Sequence, residues 1–95
     1  MEIQKTQEGA KLTLKPVGRV DTLTAPELEA AVVVDGIEEF VFDLEAVDYI
    51  SSAGLRVLLS AQKKMVGKSM KIVHVRPAVR EVFDITGFSD IFTFA

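Results

Sequence analysis

The chain has 95 residues, 48% of them hydrophobic and 26% charged, and its 11 basic and 14 acidic side chains leave a formal net charge of −3. That is enough for one compact domain, residues 1–95, and excludes a second. The charges are scattered, which excludes an electrostatic footprint for nucleic acid or an anionic membrane surface. There is no cysteine, so neither disulfides nor cysteine zinc sites contribute, and no apolar run is long enough to span a bilayer. With no secretory pattern at the start, the expectation is a cytoplasmic protein that works on a protein partner, without direct membrane insertion.

In chain order, Glu2 to Thr6 carries Ile3 as its apolar anchor, and Glu8-Gly9 offers a turn into Lys11-Leu12-Thr13-Leu14-Lys15, which alternates with period two. This predicts an opening β-hairpin whose second strand ends or bends at Pro16 and Gly18. Thr24-Ala25-Pro26-Glu27 has the capping-box pattern, with Thr24 as N-cap and proline in the first turn. The helix it opens is short, because Val32-Val33-Val34 weakens helix preference and Asp35-Gly36 closes it. Ile37 to Leu44 reads as a strand covered on both faces, and Asp48-Tyr49-Ile50 as a loop. From Leu55 the apolar positions Leu55, Leu58, Leu59, Met65 and Val66 follow helical spacing, with Gly67 and Lys68 at the C-terminal end. Met70 to Val75 returns as a strand, parallel to the previous one and reached by a right-handed crossover. Pro77 opens a third helix that Gly87 ends, with Val79, Val82 and Phe83 facing the core, and Ile91 to Phe94 adds a short edge strand.

The informative junction is Ser51-Ser52-Ala53-Gly54-Leu55. It sets two hydroxyls where a helix starts, beside free backbone N–H groups and the positive end of the helix dipole, at the sheet edge where α/β folds carry their ligands. Capping alone explains a serine there, and Gly54 serves either an approaching group or close packing of helix on sheet. Asp21, between a strand and the Thr24 cap, is the second candidate; its ordinary role is a turn or capping carboxylate. His74 is a lone histidine with no second ligand at metal spacing and takes no catalytic role. Val66-Gly67-Lys68-Ser69 imitates a phosphate-binding loop but ends a helix where such a loop should begin one. Ser52 lies outside a nucleophile elbow, nothing pairs it with His74, and the carboxylates of Glu38, Glu39, Glu45 and Asp48 read as solvated surface. No enzyme, metal or cofactor signature emerges.

Asp43-Leu44 through Tyr49-Ile50-Ser51-Ser52-Ala53-Gly54-Leu55 resembles the STAS family, specifically bacterial anti-sigma factor antagonists. Gly18-Arg19-Val20-Asp21 before Thr24-Ala25-Pro26-Glu27-Leu28, and Pro77 to Phe83 before Thr86-Gly87-Phe88, follow in the family's order, so the likeness covers nearly the whole chain. It implies an α/β, STAS-like single domain, with a mixed four- to five-stranded sheet, an N-terminal β-hairpin and packed helices. It also implies binding to an anti-sigma factor that is a serine kinase, with release of a sigma factor. Phosphorylation of a serine at the start of the second helix reverses that binding, and a serine phosphatase restores it. By the resemblance the acceptor falls on Ser52, with Ser51 as the alternative because it stands where the family often has aspartate. Ala53 replaces a frequent second hydroxyl, and Asp21 matches the aspartate beside the phosphorylation site. The expected contact surface is Asp21, Ser51, Ser52, Ala53, Gly54, Leu55 and Arg56. The first helix is shorter than the family's usual, and a final helix the family commonly has is not in this sequence. Two other readings use the same residues: a STAS scaffold or regulatory subunit of a transporter or signalling assembly without the phosphoswitch, and a small-molecule or nucleotide-binding domain using the helix N-terminus as an anion site.

Overall fold

The computed structural model describes residues 1–95, ordered as β1 (Glu2–Glu8), β2 (Lys11–Val20), α1 (Ala25–Ala31), β3 (Glu39–Asp43), β4 (Val47–Ile50), α2 (Ser52–Lys64), β5 (Ser69–Val73) and α3 (Pro77–Thr86), then a 3-10 turn over Phe88–Asp90. β1 and β2 form the expected antiparallel hairpin, turning at Gly9 with φ +59°. The five-stranded mixed sheet runs β1-β2-β3-β5, with β4 joined to β2 off that path.

β2 is longer than its sequence implies, running through both Pro16 and Gly18. The reason lies in its partners. Its first half, Lys11 to Leu14, pairs in parallel with β3, and its last residues, Gly18 to Val20, pair in parallel with β4. Pro16, which has no N–H to give, falls in the gap between these two partners, where no ladder bond is lost. Gly18 marks the register shift at which β4 takes over.

β4 corrects the reading of Asp48-Tyr49-Ile50 as a loop. The segment is a strand with only its end residues, Val47 and Ile50, buried. The connection from β3 to β5 therefore includes a strand as well as α2, although β3 and β5 are parallel neighbours as expected. The remaining corrections are smaller. The central strand is Glu39–Asp43 and β5 is Ser69–Val73, both shorter than expected. Instead of a full edge strand, the C-terminal segment makes one parallel bridge between Phe94 and Ile72.

The core follows from strand register. Leu12, Phe40 and Met70 form one row across the sheet, and Leu14, Phe42 and Ile72 the next. All six belong to the main apolar cluster, together with Leu28 of α1, Leu55, Leu58 and Ala61 of α2, and Val79 and Phe83 of α3. Phe83 also meets Phe92 and Phe94 in T-shaped pairs, at centroid distances of 5.8 and 5.3 Å, so the C-terminal segment closes over α3 by aromatic packing. On α2, Val57 and Ala61 join the buried stripe, whereas Val66, expected there, lies beyond the helix end and is 78% exposed.

Candidate functional site

Val20 and Ile50 are register partners at the C-terminal ends of β2 and β4, and the Ser51 N–H donates to the Val20 carbonyl at 2.8 Å. The next residues, Asp21 and Ser51, therefore leave the sheet side by side. Two candidates about thirty positions apart in sequence are thus brought to one sheet edge by a strand pairing that the sequence conceals.

The β2–α1 turn is built by Asp21 and Thr24 together. Asp21 Oδ1 accepts from the Leu23 and Thr24 backbone N–H groups at 3.0 and 3.2 Å. The Thr24 hydroxyl accepts from the Asp21 N–H at 2.9 Å and donates to the Arg19 carbonyl at 2.8 Å. Thr24 does occupy the N-cap position of α1, but its side chain makes no capping bond. Its hydroxyl is directed back to the strand, which corrects the capping-box reading. The Thr24 backbone N–H foremost, then that of Leu23, the Thr24 hydroxyl and the Arg19 side chain hold the Asp21 carboxyl below the usual carboxylate range, against a smaller opposing effect of partial burial. Asp21 is therefore a fixed negative charge at neutral pH.

The two serines separate by role. Ser51 is the N-cap of α2, half-buried, and its Oγ accepts from the Gly54 N–H at 3.5 Å. Ser52 is the first helical residue, exposed, and its hydroxyl has no partner within the fold. Ala53 is half-buried. Gly54 and Leu55 are buried, so they fix the start of α2 from beneath and are not themselves open to a partner. A Cβ on Gly54 would stand 2.7 Å from both Ile50 Cγ1 and Val20 Cγ1 and 3.0 Å from the Val20 carbonyl oxygen. Between the two uses open to this glycine, the geometry selects close packing of helix on sheet. Arg56 is exposed one turn along α2.

Three neighbours escaped the sequence reading as site residues. The Arg19 guanidinium lies 4.3 Å over the Tyr49 ring, with its Nε 3.5 Å from Asp21 Oδ2. The pair meets because Arg19 and Tyr49 are themselves register partners. Leu23 stands at the position before the N-cap, from which an apolar side chain often packs onto the fourth helical residue, here Leu28. Leu28 is buried, but Leu23 is 84% exposed. A large apolar side chain before an N-cap was the one available signal, since the fold leaves it without a packing role.

His74 pairs with Asp43 and not with these residues. It follows β5 instead of lying within it, is exposed, adopts φ +57°, and sets Nδ1 3.0 Å from Asp43 Oδ1. No group of His, Asp and Glu side chains is disposed to hold a metal ion, and no helix is long and apolar enough to cross a membrane. What the edge offers is a fixed carboxylate, a free hydroxyl at a helix start, an exposed leucine and a stacked arginine.

Fold and site together define a small α/β module whose candidate residues gather at the C-terminal ends of β2 and β4 and the start of α2. The sequence profile of the STAS domain matches residues 2–95, and the chain belongs to the STAS domain family. It is 45% identical over 83 residues to BtrV of Bordetella bronchiseptica, named for anti-sigma factor antagonism, covering 82% of this chain and 72% of that protein. A crystal structure of an anti-sigma factor antagonist from Mycobacterium paratuberculosis superposes with a TM-score of 0.88 at 28% identity, covering 98% of this chain and 83% of that one. The antagonist SpoIIAA shares the fold at 16% identity: its unphosphorylated form gives a TM-score of 0.83 over 99% of this chain and 88% of that one. The phosphorylated form of SpoIIAA, from Bacillus, gives 0.74 over 99% and 91%.

Proposed function

We propose that this STAS domain is an anti-sigma factor antagonist, acting by binding and not by catalysis, whose partner surface is switched by phosphorylation of Ser52. The observation that carries this reading is the division of labour between adjacent serines: Ser51 spends its hydroxyl on the helix cap, while Ser52 presents a free, exposed hydroxyl at the sheet edge where Asp21 also emerges. The names of BtrV and of the Mycobacterium protein support the anti-sigma factor as partner. SpoIIAA, solved in phosphorylated and unphosphorylated forms, supports the modification.

The partner is an anti-sigma factor with serine kinase activity, and binding to it in the cytoplasm releases a sigma factor. The kinase moves a phosphoryl group from a nucleoside triphosphate to Ser52 Oγ, with loss of the nucleoside diphosphate and the hydroxyl proton, and a serine phosphatase hydrolyses the ester. The phosphate adds about −1.5 to −2 charge. Added to the edge that already carries Asp21, it makes the surface strongly negative without any need to refold the domain.

The test is titration of the cognate anti-sigma factor with wild type, Ser52→Ala and Ser52→Asp, coupled to phosphopeptide mapping of the protein from its native host. Ser52→Ala is expected to keep wild-type affinity and Ser52→Asp to weaken it at least tenfold, with phosphate mapped to Ser52. Equal affinity for the two variants, or phosphate confined to Ser51, overturns the assignment.

A further inference from the structure

Three of the four arginines are engaged by the fold. Arg19 stacks on Tyr49 beside Asp21, Arg76 Nε donates to the Glu45 carbonyl at 2.7 Å, and Arg80 Nε lies 3.4 Å from Asp84 Oδ1. Arg56 alone takes part in no ion pair and no hydrogen bond, and its side chain is exposed. Its place on α2 gives the exception a meaning. Arg56 is the fourth residue after Ser52 on the same helix, and residues so spaced are surface neighbours with Cβ atoms about 5–6 Å apart. Helical side chains lean toward the helix N-terminus. The long side chain of Arg56 therefore leans back over the turn that begins with Ser52, within reach of a group attached to its Oγ.

Resting on the reading of Ser52 as the phosphoacceptor, we propose that Arg56 is an intramolecular clasp for the phosphoryl group, its guanidinium donating two N–H bonds to two phosphate oxygens. Planar guanidinium and phosphate match in this bidentate form, which a lysine ammonium does not reproduce. The other charges facing the phosphate divide by side. Asp21 stands across the strand junction and repels it, while Arg19 is already occupied by Asp21 and Tyr49. Lys63 and Lys64 lie at the far end of α2, so Arg56 is the free cation within about one turn of Ser52, and it draws the phosphate along the helix and away from Asp21. A clasped phosphate stays dianionic to lower pH and offers fewer free oxygens to an attacking phosphatase, so the clasp lengthens the life of the modified state.

The test places phosphoserine directly at position 52 of the full chain by nonsense suppression, so that no kinase is needed, and follows its 31P resonance against pH. The wild-type midpoint is expected to lie about 0.3 pH units below that of Arg56→Gln, in keeping with an exposed charge pair, with Arg56→Lys between them. A bacterial serine phosphatase should release phosphate from Arg56→Gln several-fold faster than from wild type. Coincident midpoints for wild type and Arg56→Gln overturn the clasp. Because Arg56 has no partner in the unmodified fold, Arg56→Gln without phosphate should melt with wild type, which separates a clasp from a folding defect. The midpoint reports the clasp whether or not a partner binds, whereas the affinity difference between Ser52→Ala and Ser52→Asp reports the switch, so the two fail separately.

Discussion

Gly54 lies so close to Val20 that a Cβ on the glycine would stand 2.7 Å from the valine Cγ1, with Ile50 Cγ1 equally near on the other side. Glycine early in α2 forgoes about 1 kcal/mol of helix preference relative to alanine. That loss is outweighed by the closeness of approach it permits. Gly54→Ala regains the preference but forces two core side chains and the Val20 carbonyl to give way, an overpacking that costs about 1–3 kcal/mol or more. The net expectation is destabilisation by about 1–2 kcal/mol, read as a lower urea midpoint with an unchanged slope.

The adjacent serines should respond differently to alanine. Ser51→Ala removes the α2 cap and should cost about 0.5–1 kcal/mol, the lower end of the usual range because the capping bond is long. Ser52→Ala removes a hydroxyl with no partner and should leave the unfolding midpoint within error of wild type. Parallel denaturation curves decide it, and the reverse order would exchange the roles assigned to the two hydroxyls.

Asp21 links stability to acid. Its folded-state pKa is depressed, chiefly by the Thr24 N–H, so its contribution is fully present above the unfolded carboxylate range near 4 and is lost as pH falls through the lower folded value. Asp21→Asn keeps an acceptor oxygen but cannot titrate. Thermal melts between pH 2 and about 5 should show a shallower acid dependence in Asp21→Asn than in wild type. Glu45 and Asp84, whose pKa values are likewise lowered, keep their share in both proteins.

Leu23 separates binding from folding. Its exposure means that Leu23→Ser removes no core contact, and the melting temperature should not change. If the anti-sigma factor covers the Asp21 edge, the same variant should lose affinity by about fivefold or more, since apolar side chains desolvated at an interface centre carry much of its energy. Calorimetric titration and a thermal melt on the same sample measure both quantities, and an unchanged affinity would move the contact surface off this loop.

The legibility of the sequence tracks how far each residue's role is local. The hairpin, α1, α2, α3 and the parallel β3 and β5 follow from periodicity, Pro26, Pro77 and Gly87, all of which act within a turn of where they stand. β4 did not follow, because four residues with only Val47 and Ile50 buried carry no alternation; the strand exists through its pairing with β2. Pro16 misled for the related reason that its tolerance depends on where two other strands happen to end. At the site, Asp21 and the serine junction were visible as residue types. The different hydrogen-bond roles of Ser51 and Ser52 rest on the cap geometry of α2, and the packing duty of Gly54 and the stacking of Arg19 on Tyr49 required the neighbouring strand.

The fork in β2 has a consequence for how the molecule comes into being. Only β1 and β2 pair across a tight turn; β3 and β4 are consecutive, yet each docks on a different length of β2 and not on the other. The hairpin needs nothing downstream and can form on a microsecond scale, and during synthesis it emerges before either parallel partner. It then serves as a template with two berths, which β3 and β4 can fill in either order. A lesion in β4 therefore leaves one berth empty and one in β3 also strands β5, whereas a lesion in β2 removes the template for both branches.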